Sequence, residues 1–268
     1  MRSHVPAAAA VTSPLTSGLQ ETRVTWRTVA GALTRPYPVT LPMVALMLLV
    51  PVYLFIGGRA AFGTLHAPEL PWDRAVPLQP AWALIYGSLY VFLIALPVFV
   101  VRQEQHIRRT FWAYLAVWIA AYVCFLVYPT VAPRPSRVVG DGFAVWGLRS
   151  LYGADPPYNC FPSLHVAHSF VSALTCYRVH RELGLAALLC ASLVSLSTLF
   201  TKQHYIVDVM AGMLMALVAY LGILRSYPRE NIPELDRRLA PVLAVGVLGL
   251  VCLGMIGFWV VYQLRGRA

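Results

Sequence analysis

The sequence predicts an all-α protein, a polytopic membrane helical bundle of six helices with a seventh transmembrane helix at its C-terminal end. Three observations carry this. Apolar residues make up 59% of the chain and charged residues 12%, with a mean hydropathy of +0.65, against about a quarter charged in a soluble domain. Uncharged apolar runs recur at a length near the ~20 residues that take a helix across a bilayer. Segments of about ten residues with alternating polarity, which a membrane β-barrel needs, are absent.

Residues 1–36 carry Arg2, Arg23, Arg27 and Arg35, and their alanine run at 7–10 is too short for a signal-peptide core. They read as a flexible cytoplasmic tail ahead of an uncleaved first helix. Spans follow at 38–57, 80–101 and 111–128. The segment 129–161, rich in Pro, Gly and aromatic residues, predicts an ordered loop at the membrane surface with a short helix around Phe143–Leu151. Spans at 162–177, 184–200 and 205–224 complete a six-helix domain over 37–226, and 227–268 supplies a linker and a seventh span at 239–263. Each span is a helix because lipid offers the backbone no other hydrogen-bond partner.

Basic residues on alternate loops number thirteen on the N-terminal side and eight on the other. That bias predicts a cytoplasmic N-terminus in a bacterial inner membrane and puts 129–161 and Lys202 on the outer face. The net charge of +10 fits loops facing anionic headgroups, and nucleic acid is not an expected partner. Of five cysteines, Cys160 alone lies in a loop, so no outside disulfide pair and no CxxC site is available.

Ionisable residues in spans cost about 2.5–3.5 kcal/mol each on insertion scales and so ask for a function. Here they cluster. In Asn-Cys-Phe-Pro-Ser-Leu-His, 159–165, Pro162 suits a first helical turn whose free N–H groups near Ser163 favour an anion beside His165. In Thr-Lys-Gln-His-Tyr-Ile-Val-Asp, 201–208, His204 and Asp208 are spaced i, i+4 and share a helix face. A carboxylate on one ring nitrogen fixes the tautomer and frees the other as nucleophile or base. Arg134-Pro135 follows the third span on the same side, as does Lys202, the only lysine. Cations gathered there suit a phosphate. Taken singly, an HxxxD, a PSxH or an Arg-Pro is more often structural; their order and common face argue together. His168 reads as a packing or supporting residue below His165, and Arg137 as an entrance or headgroup residue. A metal on His165, His168, His204 and Asp208 is disfavoured by repulsion from Arg134 and Lys202.

Arg134-Pro135, Pro-Ser-Leu-His at 162–165 and His-Tyr-Ile-Val-Asp at 204–208 resemble the three signature segments of the type 2 phosphatidic acid phosphatase superfamily. The strings YPTVAPRP, NCFPSLHVAHS and STLFTKQHYIVDVMAG look like the branch that includes fungal inositol phosphorylceramide synthase and many bacterial relatives. The likeness covers about 80–225, with 38–57 as its first helix. It implies a six-helix phosphatase-like core in which His204 attacks phosphorus and becomes a phosphohistidine, Asp208 orients it, and His165 serves as general acid and then base. Arg134, with the Ser163 region, would hold the phosphoryl oxygens, and no metal or other cofactor is implied. Two positions depart from the family pattern: Val127 stands where a Lys is usual, and Thr198 where an Arg is usual. Lys202 is the candidate replacement for one of these cations.

The expected activity is that of a membrane lipid phosphatase or phosphotransferase acting on a phospholipid or isoprenoid (pyro)phosphate. The alternative is a headgroup transferase, which passes the phospho-headgroup to a lipid alcohol. A non-enzymatic lipid transporter is the third reading; it has no use for the His–Asp pair, and the inverted repeats expected of one are not seen.

Overall fold

The computed structural model describes residues 23–33, 45–60 and 63–265, and among these the regular structure is helical, with only isolated bridges at His66–Thr130 and Val131–Tyr158. The helices are α1 (Trp26–Leu33), α2 (Leu49–Ala60), α3 (Trp82–Val100), α4 (Glu104–Val127), α5 (Phe143–Ala154), α6 (Leu164–Val179), α7 (Arg181–Phe200), α8 (Ile206–Ala219) and α9 (Glu234–Arg265). A π turn, Tyr220–Leu224, extends α8. The protein is a polytopic helical membrane bundle. Among the described residues, five stretches are long and apolar enough to cross a bilayer: α3, α4, α7, α8 with its π turn, and α9.

The two remaining expected spans are shorter. The first begins as a 3-10 turn, Leu46–Leu48, and continues as α2, its earlier part falling outside the described residues. The other, α6, has 16 residues, about 24 Å at 1.5 Å per residue. It is the central helix, packed against α3, α4, α7 and α8, so protein rather than lipid surrounds most of it. Its interior is small and close-fitting: Val166, Ala167, Val171, Ala173 and Cys176 are fully buried. Without a hydrophobic drive between helices in lipid, such close approach is the main source of stability.

One residue, His180, ends α6 and begins α7, its Nδ1 accepting from Leu183 N at 3.3 Å. The turn is tight enough that a Cβ on Gly184 would lie 2.2 Å from Tyr177 Cα. The close approach of α8 to α6 depends likewise on Gly212, where a Cβ would lie 2.5 Å from the Ser163 carbonyl oxygen.

Part of the expected flexible tail is helical. In α1, Ala32 is buried with Leu239 and Leu243 of α9. Residues 1–22 lie outside the described residues. The seventh helix packs along α3, and the rings of its Phe258 and Tyr262 pack at a tilt against Phe143 and Trp146 of α5. It therefore braces the surface-lying helix, which ends at the polar cluster described next.

Candidate active site

His204 and Asp208 are brought together as expected, but not along a helix face. Helix α7 stops at Phe200, Lys202 takes a left-handed conformation (φ 54°), and α8 starts at Ile206. His204 thus precedes the helix, and Asp208 sits in its first turn, where Oδ2 accepts from Tyr205 N at 2.9 Å. The same oxygen is 3.4 Å from His204 Nδ1. A second acceptor reaches that nitrogen: the Cys160 carbonyl, at 3.0 Å. Carbonyl and carboxylate can only accept, so Nδ1 carries the proton and Nε2 keeps its lone pair. The backbone of Cys160, not its side chain, belongs to the site. Burial pushes its thiol well above the ordinary cysteine range, which makes it inert.

His165 faces His204, Nδ1 to Nε2 at 3.2 Å. Its ring lies edge-on against Tyr86 and Tyr90. On the far side, its Nε2 is 4.0 Å from Asp155 Oδ2. The other oxygen of Asp155 accepts from Tyr53 OH at 3.0 Å. Neither Asp155 nor Tyr53 was expected from the sequence. Ser163 is the N-cap of α6 rather than a free donor: its Oγ accepts from Val166 N at 3.3 Å, and its own N–H is taken by the Asp208 carbonyl at 3.1 Å. Pro162 lies before the cap instead of in the first turn, because the capping serine displaces the helix start to Leu164.

Arg134 joins the cluster. Its Nη1 donates to the Asp155 carbonyl at 2.7 Å, Nη2 to Gln203 Oε1, and Nη2 is also 3.8 Å from Asp155 Oδ2. The guanidinium lies 4.4 Å over the Tyr152 ring, and its buried Nε has no protein partner. Lys202 has a different partner from the one expected. Its Nζ donates to the Asp73 carbonyl at 3.1 Å, while the Asp73 carboxylate accepts from Ile206 N at 2.8 Å and Leu70 N at 2.7 Å. Lys202 and Asp73 together pin the loop before α3 to the start of α8. His168 is buried below His165, with Nδ1 3.3 Å from Tyr90 OH and its ring against Tyr114 and Trp118. Arg137 is exposed three residues past Arg134. Among the described residues no group of three or more His, Cys, Asp or Glu side chains is arranged to hold a metal ion.

Residues 62–222, which include Arg134, Asp155, His165, His204 and Asp208 but not Tyr53, match the PAP2 superfamily. The chain belongs to it. A PA-phosphatase related-family protein of Dictyostelium discoideum is 25% identical over 130 residues, 44% of this chain and 23% of that protein. An uncharacterized protein of Methanocaldococcus jannaschii is 38% identical over 95 residues, covering 35% of this chain and 39% of that one. The chain therefore spans well under half the length of either relative. No solved structure gives a significant match.

In this PAP2 member a cavity of about 440 Å³ opens beside the histidines. His165 and His168 line it, together with Leu46, Val50, Ile94 and Trp118 among its largely apolar walls. The two family departures are also placed. Val127, at the end of α4, is 78% exposed. Thr198 is buried with its hydroxyl on the Ser195 carbonyl, and its own carbonyl accepts from Gln203 N and His204 N. At that position the chain uses backbone to hold the loop that carries His204.

Proposed function

We propose that this PAP2 protein is an integral membrane enzyme that cleaves a lipid phosphoester through a phosphohistidine at His204. His204 Nε2 attacks phosphorus, the P–O bond to the leaving alcohol breaks, and His165, entering as an imidazolium, gives its Nδ1 proton to that oxygen. In the second half, water or an alcohol returns a proton to His165 as its oxygen bonds phosphorus. The P–N bond then breaks and its electron pair goes back to His204. Asp208 and the Cys160 carbonyl hold the tautomer this requires, and Arg134 presents its unpartnered Nε to the phosphoryl oxygens. The observation that carries the reading is the Nδ1–Nε2 contact of 3.2 Å between two histidines, with acceptors fixing the protonation of the outer nitrogen of one.

Transfer to a lipid alcohol, as in the inositol phosphorylceramide synthase branch, is the second reading. It is favoured by a dry site: His204 is 5% exposed, and the adjoining cavity has apolar walls suited to a lipid chain. The test uses purified protein with labelled phosphatidic acid, isoprenyl diphosphate, and phosphatidylinositol plus a lipid alcohol, comparing wild type with His204→Ala. Inorganic phosphate marks hydrolysis and a new phospholipid marks transfer. Equal activity in the variant removes the mechanism.

The proposed active site lies on the extracytoplasmic face, with the N-terminus cytoplasmic, as the distribution of basic residues supports.

A further inference from the structure

Asp155 stands where the substrate's phosphoryl group needs partners. Its Oδ2 lies 3.8 Å from Arg134 Nη2 and 4.0 Å from His165 Nε2, the cation and the proton donor of the proposed reaction. Its position is fixed. Tyr53 OH holds Oδ1 at 3.0 Å, and Arg134 Nη1 holds the backbone carbonyl at 2.7 Å. The side chain is 18% exposed and that of Arg134 8%, so water screens these charges little.

Among the described residues, the charged groups in contact here are Arg134, Asp155, Asp208 and, when protonated, the histidines. Lys202 is held at the Asp73 carbonyl. Arg134 is the permanent cation among these and faces two carboxylates, which a proton on His165 at most balances. An incoming phosphate therefore brings negative charge to a site with no cation to spare, beside a carboxylate that Tyr53 holds in place. A phosphodiester brings one negative charge. A phosphomonoester above its second ionisation brings two, and in a site so little screened the second charge adds to the repulsion from Asp155.

We infer that Asp155 is a specificity-determining residue that makes the site favour a monoanionic phosphodiester over a dianionic phosphomonoester. This rests on the phosphohistidine reading above, and it names the charge class of the substrate of that same site. The carboxylate acts by repulsion of the second charge, with Tyr53 as its anchor.

The test uses matched pairs of lipids that differ by one methyl group: phosphatidic acid against phosphatidylmethanol, and an isoprenyl phosphate against its methyl ester. Release of the lipid alcohol is followed for every substrate, at about pH 8, where a monoester with a second pKa near ~6 is dianionic. Wild type is expected to turn over the methyl esters faster. Asp155→Asn is expected to raise the monoester-to-diester ratio of kcat/KM by about tenfold or more, a change that a merely structural role, lowering both rates together, does not produce. His204→Ala abolishes all release. Should Asp155→Asn fail to fold, the wild-type preference decides. A wild type that prefers the monoesters, or an Asp155→Asn ratio equal to wild type, overturns the inference alone. No His204-dependent release from any of the four overturns the function reading and the inference with it.

Discussion

Replacing Asp208 with asparagine separates two things the carboxylate does for His204. Oδ2 accepts from Tyr205 N and faces His204 Nδ1 at 3.4 Å, whereas Oδ1 is buried with no protein partner. The Asp208→Asn side chain can therefore keep its oxygen on the two donors and place its amide NH₂ in the unoccupied direction, so the helix cap survives. The tautomer survives too, because the Cys160 carbonyl accepts from Nδ1 at 3.0 Å. What would be lost, in the proposed reaction, is charge stabilisation of a phosphohistidine. Two unit charges at that 3.4 Å spacing attract by about 5 kcal/mol at an effective dielectric of ~20. An amide dipole retains about half of that, which leaves ~2.5 kcal/mol lost, or ~10² in rate. By contrast, loss of the tautomer in a Ser-His-Asp triad costs ~10⁴. The assay is single-turnover formation of acid-labile phosphoprotein, with lipid affinity measured alongside. A loss of ~10⁴ or more, matching His204→Ala, would show that the Cys160 carbonyl does not hold the ring and would refute this account. So would a loss below about threefold, since little charge would then form on His204.

Gly212→Ala puts a methyl group 2.5 Å from the Ser163 carbonyl oxygen and should destabilise the fold by about 1–3 kcal/mol; thermal unfolding in detergent reads this, and an unchanged midpoint contradicts the close contact. Cys160→Ala removes only a buried thiol whose pKa is raised by burial, so turnover should stay within about threefold of wild type and maleimide treatment of wild type should not inactivate it. Lys202→Ala breaks the 3.1 Å bond to the Asp73 carbonyl; it should cost about 1 kcal/mol of stability and leave KM for the lipid phosphate unchanged, whereas a KM rise of about tenfold would assign Lys202 to the phosphate.

The helices were legible because twenty-residue apolar runs have few other outcomes in lipid. The short helix at 143–154 could also be read, from an apolar run between glycines and prolines. His165 and Asp208 were legible because charge is costly inside a span, and Arg134 and His204 because they flank spans on the same face; all four meet at one end of the bundle. The capping detail was harder to see. Spacing i, i+4 suggests a shared helix face, whereas His204 lies ahead of α8 and Asp208 reaches back to it as a cap. Asp155 and Tyr53 carried no local signal, since an aspartate in a Pro-rich loop is ordinarily solvated and a tyrosine near a span end is ordinarily a belt residue. Their contact spans 102 residues. Only Asp155 and Asp141 are acidic across 129–161, and that scarcity was the one available hint.

The structure also changes which groups can meet a phosphate. Helix N-termini attract anions when their first N–H groups are free, and two of them approach this site. Both are partly committed. At α6, Ser163 N is bonded to the Asp208 carbonyl and Val166 N to Ser163 Oγ. At α8, Tyr205 N and Ile206 N are held by Asp208 and Asp73. Each helix start is thus tied by a residue whose other contacts build the site, so capping and catalytic geometry are one structure. Beyond the remaining first-turn N–H groups, the side chains left to stabilise the proposed transition state are those of Arg134, through its unpartnered Nε, and of His165. Both lie beside Asp155, and substitution there should consequently be felt in substrate choice before it is felt in folding.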